Sequence, residues 1–197
     1  RADWNTQGVS AQINADGGQT SHGQSDDLGF NLFAHGSYLL VDSLQNSYDT
    51  ANPVSAWLHS TRAHNAVEID GVSQNGFVGH DIDVEMPDGT QQTVKGLSGG
   101  TLGSLHPENR EYNKIYNYIK AETYNYNNNS YLSDDFINWR DVLFIEPEYF
   151  IITDFVKPKN DPDAVHTYSQ NWHTMPNSGL SLLPDSLNAK TRFASSA

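Results

Sequence analysis

The sequence contains no cysteine, so no disulfide can staple the fold, and the redox compartment stays open. It is poor in basic residues: 11 lysines and arginines stand against 24 aspartates and glutamates, a formal net charge of −13. Phosphate backbones are bound by clustered Lys and Arg, so this balance argues against nucleic acid as a partner. An anionic polysaccharide stays open. Salt screens exposed charges beyond about 8 Å, so a local basic site can work on an acidic protein. No apolar run reaches the length of a membrane span, and no secretory signal is visible. There is no GxSxG elbow and no glycine-rich phosphate loop, the usual marks of serine hydrolases and nucleotide binders. A convincing helical period is missing as well. The chain opens on Arg1, as a mature form or an excised piece of a longer protein would.

What the sequence does have is β pattern. Its 197 residues suffice for one large domain or two small ones. Such a domain buries about 70% of the surface its unfolded chain exposes. Apolar residues alternate in "VSAQINA" (Val9, Ala11, Ile13), in "LGFNLFA" (Leu28, Phe30, Leu32) and in "NAVEIDG" (Val67, Ile69). The last ends in Asp70-Gly71, a strong turn pair. "SYLLVDS" is a short apolar block. "DVLFI", "EPE" and "YFIITDFV" predict a hairpin from Asp141 to Val156, and "HTYSQNWH" alternates again. Pro53 to Arg62 has room for a turn of helix. The Asn- and Tyr-rich stretch Tyr116–Tyr131 reads as a strand running into a loop, with sugar stacking on tyrosine as the sharper alternative. The expectation is an all-β, antiparallel β-sandwich with few or no helices, spanning residues 1–175. Residues 176–197 read as a pattern-poor C-terminal extension.

Candidate chemistry gathers at strand ends. "SHGQSDD", Ser21–Asp27, sets a histidine, an amide and two carboxylates at the mouth of a strand, between glycine-rich turn and apolar run. His22 can accept or give a proton near neutral pH; a polar turn is the plainer reading. Asp42 closes the apolar block Leu39-Leu40-Val41, where a partly buried carboxylate needs a partner. His64 opens the next strand. If these strand ends meet, Gln24, Asp42 and His64 form either a metal set or a hydrogen-bonded cluster that fixes the sheet. His166 and His173 sit at odd spacing, on opposite faces of an extended segment, so a shared metal is not expected. Each reads as structural, or one lines a groove. His35, His59, His80 and His106 stand in loop-like contexts.

In order, "RADW", "SHGQSDDLGFNLFAHGSYLLVDS", "TRAHNAVEIDGVSQ", "WRDVLFIEPEYFIITDFV" and "HTYSQNWH" resemble the β-sandwich domain of the heparinase II/III-like polysaccharide lyases, a group that includes oligo-alginate lyases. The likeness covers Arg1 to His173 and is strongest from Arg1 to Gln74. It implies β-elimination on uronic-acid polymers, with His22 matching the family's catalytic histidine. It implies Gln24, Arg62 and Asn65 at the substrate. It also implies a metal, zinc or another divalent ion, held by Asp42 and His64. Many relatives carry a second histidine where this chain has Gln24, so the third ligand is altered. The partners implied are an anionic polysaccharide or oligosaccharide, alginate-like by the "HGQ" and "TRAHN" motifs, and an N-terminal helical domain absent from this chain. That domain supplies the family's tyrosine acid, so this chain would be half of an active site. Secretion or a periplasmic location would follow. The rival classes are a non-catalytic carbohydrate-binding sandwich and a structural domain with a folding metal.

Overall fold

A computed structural model describes residues 8–14, 24–43, 49, 51–74, 82–85, 91–94, 106–112, 116–123, 126, 129–145, 149–175, 180–182 and 189–191. Three strands, β1 (Ser10–Ile13), β2 (Phe30–Ala34) and β3 (Ser37–Leu40), form one sheet in that order. His35 and Gly36 join β2 to β3, both at positive φ (51° and 78°). Two left-handed residues in a row give the turn whose twist suits a tight hairpin.

The helical stretch comes next. α1 (Pro53–His59) starts at Asn52, whose Oδ1 accepts from the amides of Val54 and Ser55, with Pro53 preset in the first turn. A 3-10 turn, Thr61–Ala63, leads into β4 (Val67–Ile69). Asp70 and Gly71 again lie at positive φ, the turn their pairing predicted. They close a tight turn, with the Val72 amide on the Ile69 carbonyl (2.8 Å) and a single antiparallel bridge Ile69↔Val72, but no longer hairpin follows among the described residues. β4 pairs instead with β11 (Tyr168–Gln170), a hundred residues on, in the register Ile69↔Tyr168.

β5 (Ile82–Glu85) and β6 (Gln91–Val94) form a hairpin. β7 (His106–Tyr112), β8 (Tyr116–Thr123), β9 (Phe136–Ile145) and β10 (Tyr149–Pro158) form a four-stranded sheet in the order β10-β9-β8-β7. The expected hairpin is thus longer than the sequence reading gave, beginning at Phe136. β9 alternates buried and half-buried without a break, so Phe136, Asn138, Arg140, Val142 and Phe144 face inward. Within the tail that read as pattern-poor, β12 (Leu180–Leu182) pairs with β13 (Ala189–Thr191).

The two larger sheets meet through side chains. Val9 and Ala34 pack on Phe144, flanked by Leu32, Leu39 and Phe150. Leu28 meets Ala121, with Ile13 beside them. Ile69, Tyr126 and Phe136 make a third cluster. All strand pairings among the described residues are antiparallel, and a seven-residue α1 is the sole α-helix among them. The expected all-β antiparallel fold with little helix is the fold observed.

One charged group runs through the core. Arg140, fully buried, binds Asp154 through Nε (2.6 Å) and Nη2 (2.7 Å). Its Nη1 donates to the carbonyls of Leu28 and Asn65, both at 2.6 Å. A planar fork can satisfy a carboxylate and two carbonyls at once. Arg140 thereby ties β9 to the two loops where the candidate site residues lie.

Candidate functional site

The segment from Gln24 to Gly29 is a built structure, not a solvated turn. Ser25 donates its amide to the His59 carbonyl (3.1 Å) and accepts from Thr61 Oγ1 (2.7 Å). Asp27 exchanges two bonds with the Gln74 side chain, amide to Oε1 (2.8 Å) and Nε2 to carbonyl (2.9 Å). Its Oδ2 accepts from Thr123 Oγ1 (2.8 Å). Leu28 sits at φ 65°, a strained value for a branched side chain. It is held there by burial, by its amide bond to Asn14 and by the Arg140 bond to its carbonyl. Gly29 closes the turn on the Asp26 carbonyl, and a Cβ at this position would lie 2.8 Å from that oxygen.

Flanking anchors at Ser25 and Asp27 leave the Asp26 side chain aimed elsewhere. One of its oxygens takes a bond from Asn14 Nδ2 (2.8 Å). Asp26, Asp42 and His64 each offer a ligand atom within 4.8 Å of the others. His64 Nδ1 stands 2.6 Å from Asp42 Oδ1. A carboxylate accepts only, so Nδ1 carries the proton and donates, and Nε2 keeps the lone pair in the neutral ring. That Nε2 is buried without a hydrogen-bond partner. The ring itself is fully buried, whereas the Asp42 side chain keeps 28% of its surface open. Ser43 supports the pair. Its amide donates to Asp42 Oδ1 (3.0 Å), and its hydroxyl donates to the Leu58 carbonyl, 3.4 Å from His64 Nδ1.

Two carboxylates and a neutral imidazole carry two negative charges, which a divalent cation would balance. One imidazole and two carboxylates are ordinary zinc donors, and a metal held between them would take the place of the Nδ1 proton that His64 shares with Asp42. The residues fit a divalent metal.

The remaining site residues from the sequence are placed as follows. His22 lies outside the described residues. Gln24 is half-buried, two positions before Asp26. Arg62 directs Nε (3.2 Å) and Nη2 (2.8 Å) to Glu68 Oε2. Asn65 is buried; its Nδ2 donates to the carbonyls of Phe30 (2.8 Å) and Val41 (2.9 Å), and its Oδ1 accepts the amide of His173. Its hydrogen-bonding capacity is used inside the fold. Asp42 and His64 are brought together as the strand-end reading expected.

Asp26 was not singled out. Its signal was the second half of "SHGQSDD", but only the anchors at Ser25 and Asp27 show which carboxylate stands near His64. His173 also belongs to this region. Burial pulls its pKa below the usual histidine range, against the opposing hydrogen bond to the Arg62 carbonyl. His166 lies elsewhere, with Nδ1 2.7 Å from Asp70 Oδ2. The two histidines do not share a site.

No curated protein sequence matches the chain. The family model for the heparinase II/III-like C-terminal domain matches residues 11–196. Among solved structures, heparan sulfate lyase HepC from Pedobacter heparinus superposes with a TM-score of 0.61 at 15% identity, over 88% of this chain and 22% of that one. A mutant of the same enzyme gives 0.62 at 16%, with the same coverage. A heparinase III with methylated lysines gives 0.70 at 17%, over 97% of this chain and 24% of that one. At these identities the likeness is one of fold, and the chain spans about a quarter of those chains. The family match covers nearly the whole sequence, and this chain belongs to the heparinase II/III-like C-terminal family.

Proposed function

We propose that this chain is the sandwich part of a polysaccharide lyase that cleaves uronic-acid polymers by β-elimination. The family match over residues 11–196 carries the proposal. In the reaction a base takes the proton at C5 and its electron pair forms the C4–C5 double bond. The C4–O bond then breaks, and the leaving oxygen takes a proton. His22 is the residue of this chain assigned to that proton chemistry, since imidazole exchanges protons at neutral pH. The tyrosine acid and the group that quiets the substrate carboxylate would come from the helical domain across the cleft.

Asp26, Asp42 and His64 would hold the metal, and Gln24 stands on the same segment to contact metal or sugar. A divalent ion there would supply the positive charge that two carboxylates need and would lock the loop behind His22 to β3 and β4. Arg62 and Asn65 border this set, Asn65 chiefly as a residue that positions others. Alginate-like oligomers are the favoured substrate, and export from the cytoplasm accords with a polymeric substrate.

A non-catalytic carbohydrate-binding module is the second reading. Tyr149 and Phe155 favour it, standing 49% and 40% exposed on the outer face of β10. The test joins this chain to its helical domain and offers alginate, heparan sulfate and hyaluronate. Near-ultraviolet absorbance from an unsaturated uronate supports the lyase and names its polymer. Binding with no absorbance from any polymer supports the module.

A further inference from the structure

We infer that His173 is the positioning residue of the Asp42–His64 pair, holding from a third segment the two loops that carry it. The inference rests on the reading of Asp26, Asp42 and His64 as a functional set, and goes beyond it by naming what fixes their geometry. Asp42 follows Val41, and His64 lies between Arg62 and Asn65. Val41 donates its amide to the His173 carbonyl (3.0 Å). His173 donates its own amide to Asn65 Oδ1 (2.5 Å), and Asn65 Nδ2 donates to the Val41 carbonyl (2.9 Å). The three residues close a ring of hydrogen bonds, and two of its members are direct neighbours of Asp42 and His64.

The side chain adds a fourth bond that the backbone cannot make. His173 Nε2 lies 2.9 Å from the Arg62 carbonyl. A carbonyl only accepts, so Nε2 carries the proton and the tautomer is set. The ring also meets Trp57 edge-on, with centroids 6.1 Å apart. One imidazole therefore grips the 3-10 turn just before His64, while its backbone grips the residue just before Asp42. Groups that orient metal ligands from behind commonly change metal affinity or activity by about 10–100-fold when removed.

The test compares the full chain with His173→Phe, His173→Asn and His173→Gln. Phenylalanine keeps a ring against Trp57 without a donor. Asparagine is polar but too short to bring its amide to the Arg62 carbonyl, so it covers the case in which phenylalanine spoils folding. Glutamine restores a donor at the reach of Nε2. The first readout needs no metal: the proton NMR signal of His64 Nδ1–H, identified by its loss in His64→Gln. Its exchange with water should speed up about tenfold or more in the Phe or Asn protein that keeps the wild-type circular dichroism spectrum. In the Gln protein it should return close to wild type. The second readout is zinc affinity by calorimetry, expected to fall about 10–100-fold without the donor and to recover with Gln. Unchanged His64 exchange in a folded protein without the donor would overturn the inference, as would failure of Gln to restore it. If no protein of the series binds zinc, the metal reading fails and His64 exchange alone decides the positioning role.

Discussion

At the scale of single residues, Gly29 and Asp26 are linked by a distance. A methyl group on Gly29 would sit 2.8 Å from the Asp26 carbonyl, which cannot swing away because Ser25 and Asp27 are both tied down. Gly29→Ala should therefore cost about 1–3 kcal/mol, the usual range for overpacking a tight site, read as a lower urea midpoint. Zinc should raise the melting temperature of the wild-type chain, because an ion that binds only the folded form stabilises it by mass action. Asp26→Asn and Asp42→Asn should each lose most of that shift; an Asp26→Asn protein that keeps the full shift would remove Asp26 from the ligand set. Tyr118, remote on the outer face of β8, is a control for the electrostatics. Its hydroxyl donates to Asp141 at 2.7 Å, and that bond, with burial and the Asp141 charge, raises its pKa from 10.0 to about 12. A folded value above the unfolded one means the stabilisation is complete below pH ~10 and is lost as pH rises toward 12. Subtracting the alkaline absorbance titration of Tyr118→Phe from that of wild type should show one phenol with a midpoint near 12, not near 10.

At the scale of elements, the long hairpin was the most legible part of the sequence and the short strands the least. β9 and β10 run ten residues each with strict alternation, so their period shows in the sequence. β4 and β11 are three residues each and pair across a hundred positions, and no local pattern announces a partner that distant. α1 read as one turn because its apolar positions are few, yet Asn52-Pro53 is a start signal that could have extended it. The same contrast governs the site. Asp42 and His64 were visible as polar residues abutting apolar strands, whereas Asp26 and His173 enter through bonds between segments far apart in sequence. Arg140 is the element-scale bolt, joining β9 to β10 through Asp154 and to the loops through Leu28 and Asn65. Arg140→Met should destabilise by roughly 3–5 kcal/mol, since it leaves a nearly buried carboxylate with only the Gln170 amide as partner. Replacing Asp154 with leucine in that background should recover part of the loss in urea unfolding. No recovery would mean that the bonds to the Leu28 and Asn65 carbonyls outweigh the ion pair.

At the scale of the whole molecule, the sandwich presents its polar cluster at strand mouths, where loops from β1–β2, β3, the 3-10 turn and the segment after β11 converge. Such a cluster suits a surface that completes a cleft with a second domain, where ligand sites commonly form. The excess of acidic groups does not oppose an anionic substrate, because screening confines exposed charge to about 8 Å. No helix among the described residues is long and apolar enough to cross a membrane. The central claim is that "SHGQSDD" contributes a proton-transferring histidine to β-elimination. The most direct measurement is steady-state formation of unsaturated uronate by the chain together with the helical domain proposed for it, wild type against His22→Ala. One positioned acid or base is worth about 10²–10⁴-fold, and a loss of that size with an unchanged circular dichroism spectrum is the predicted result. Turnover by His22→Ala close to wild type on the same uronate polymer would contradict it.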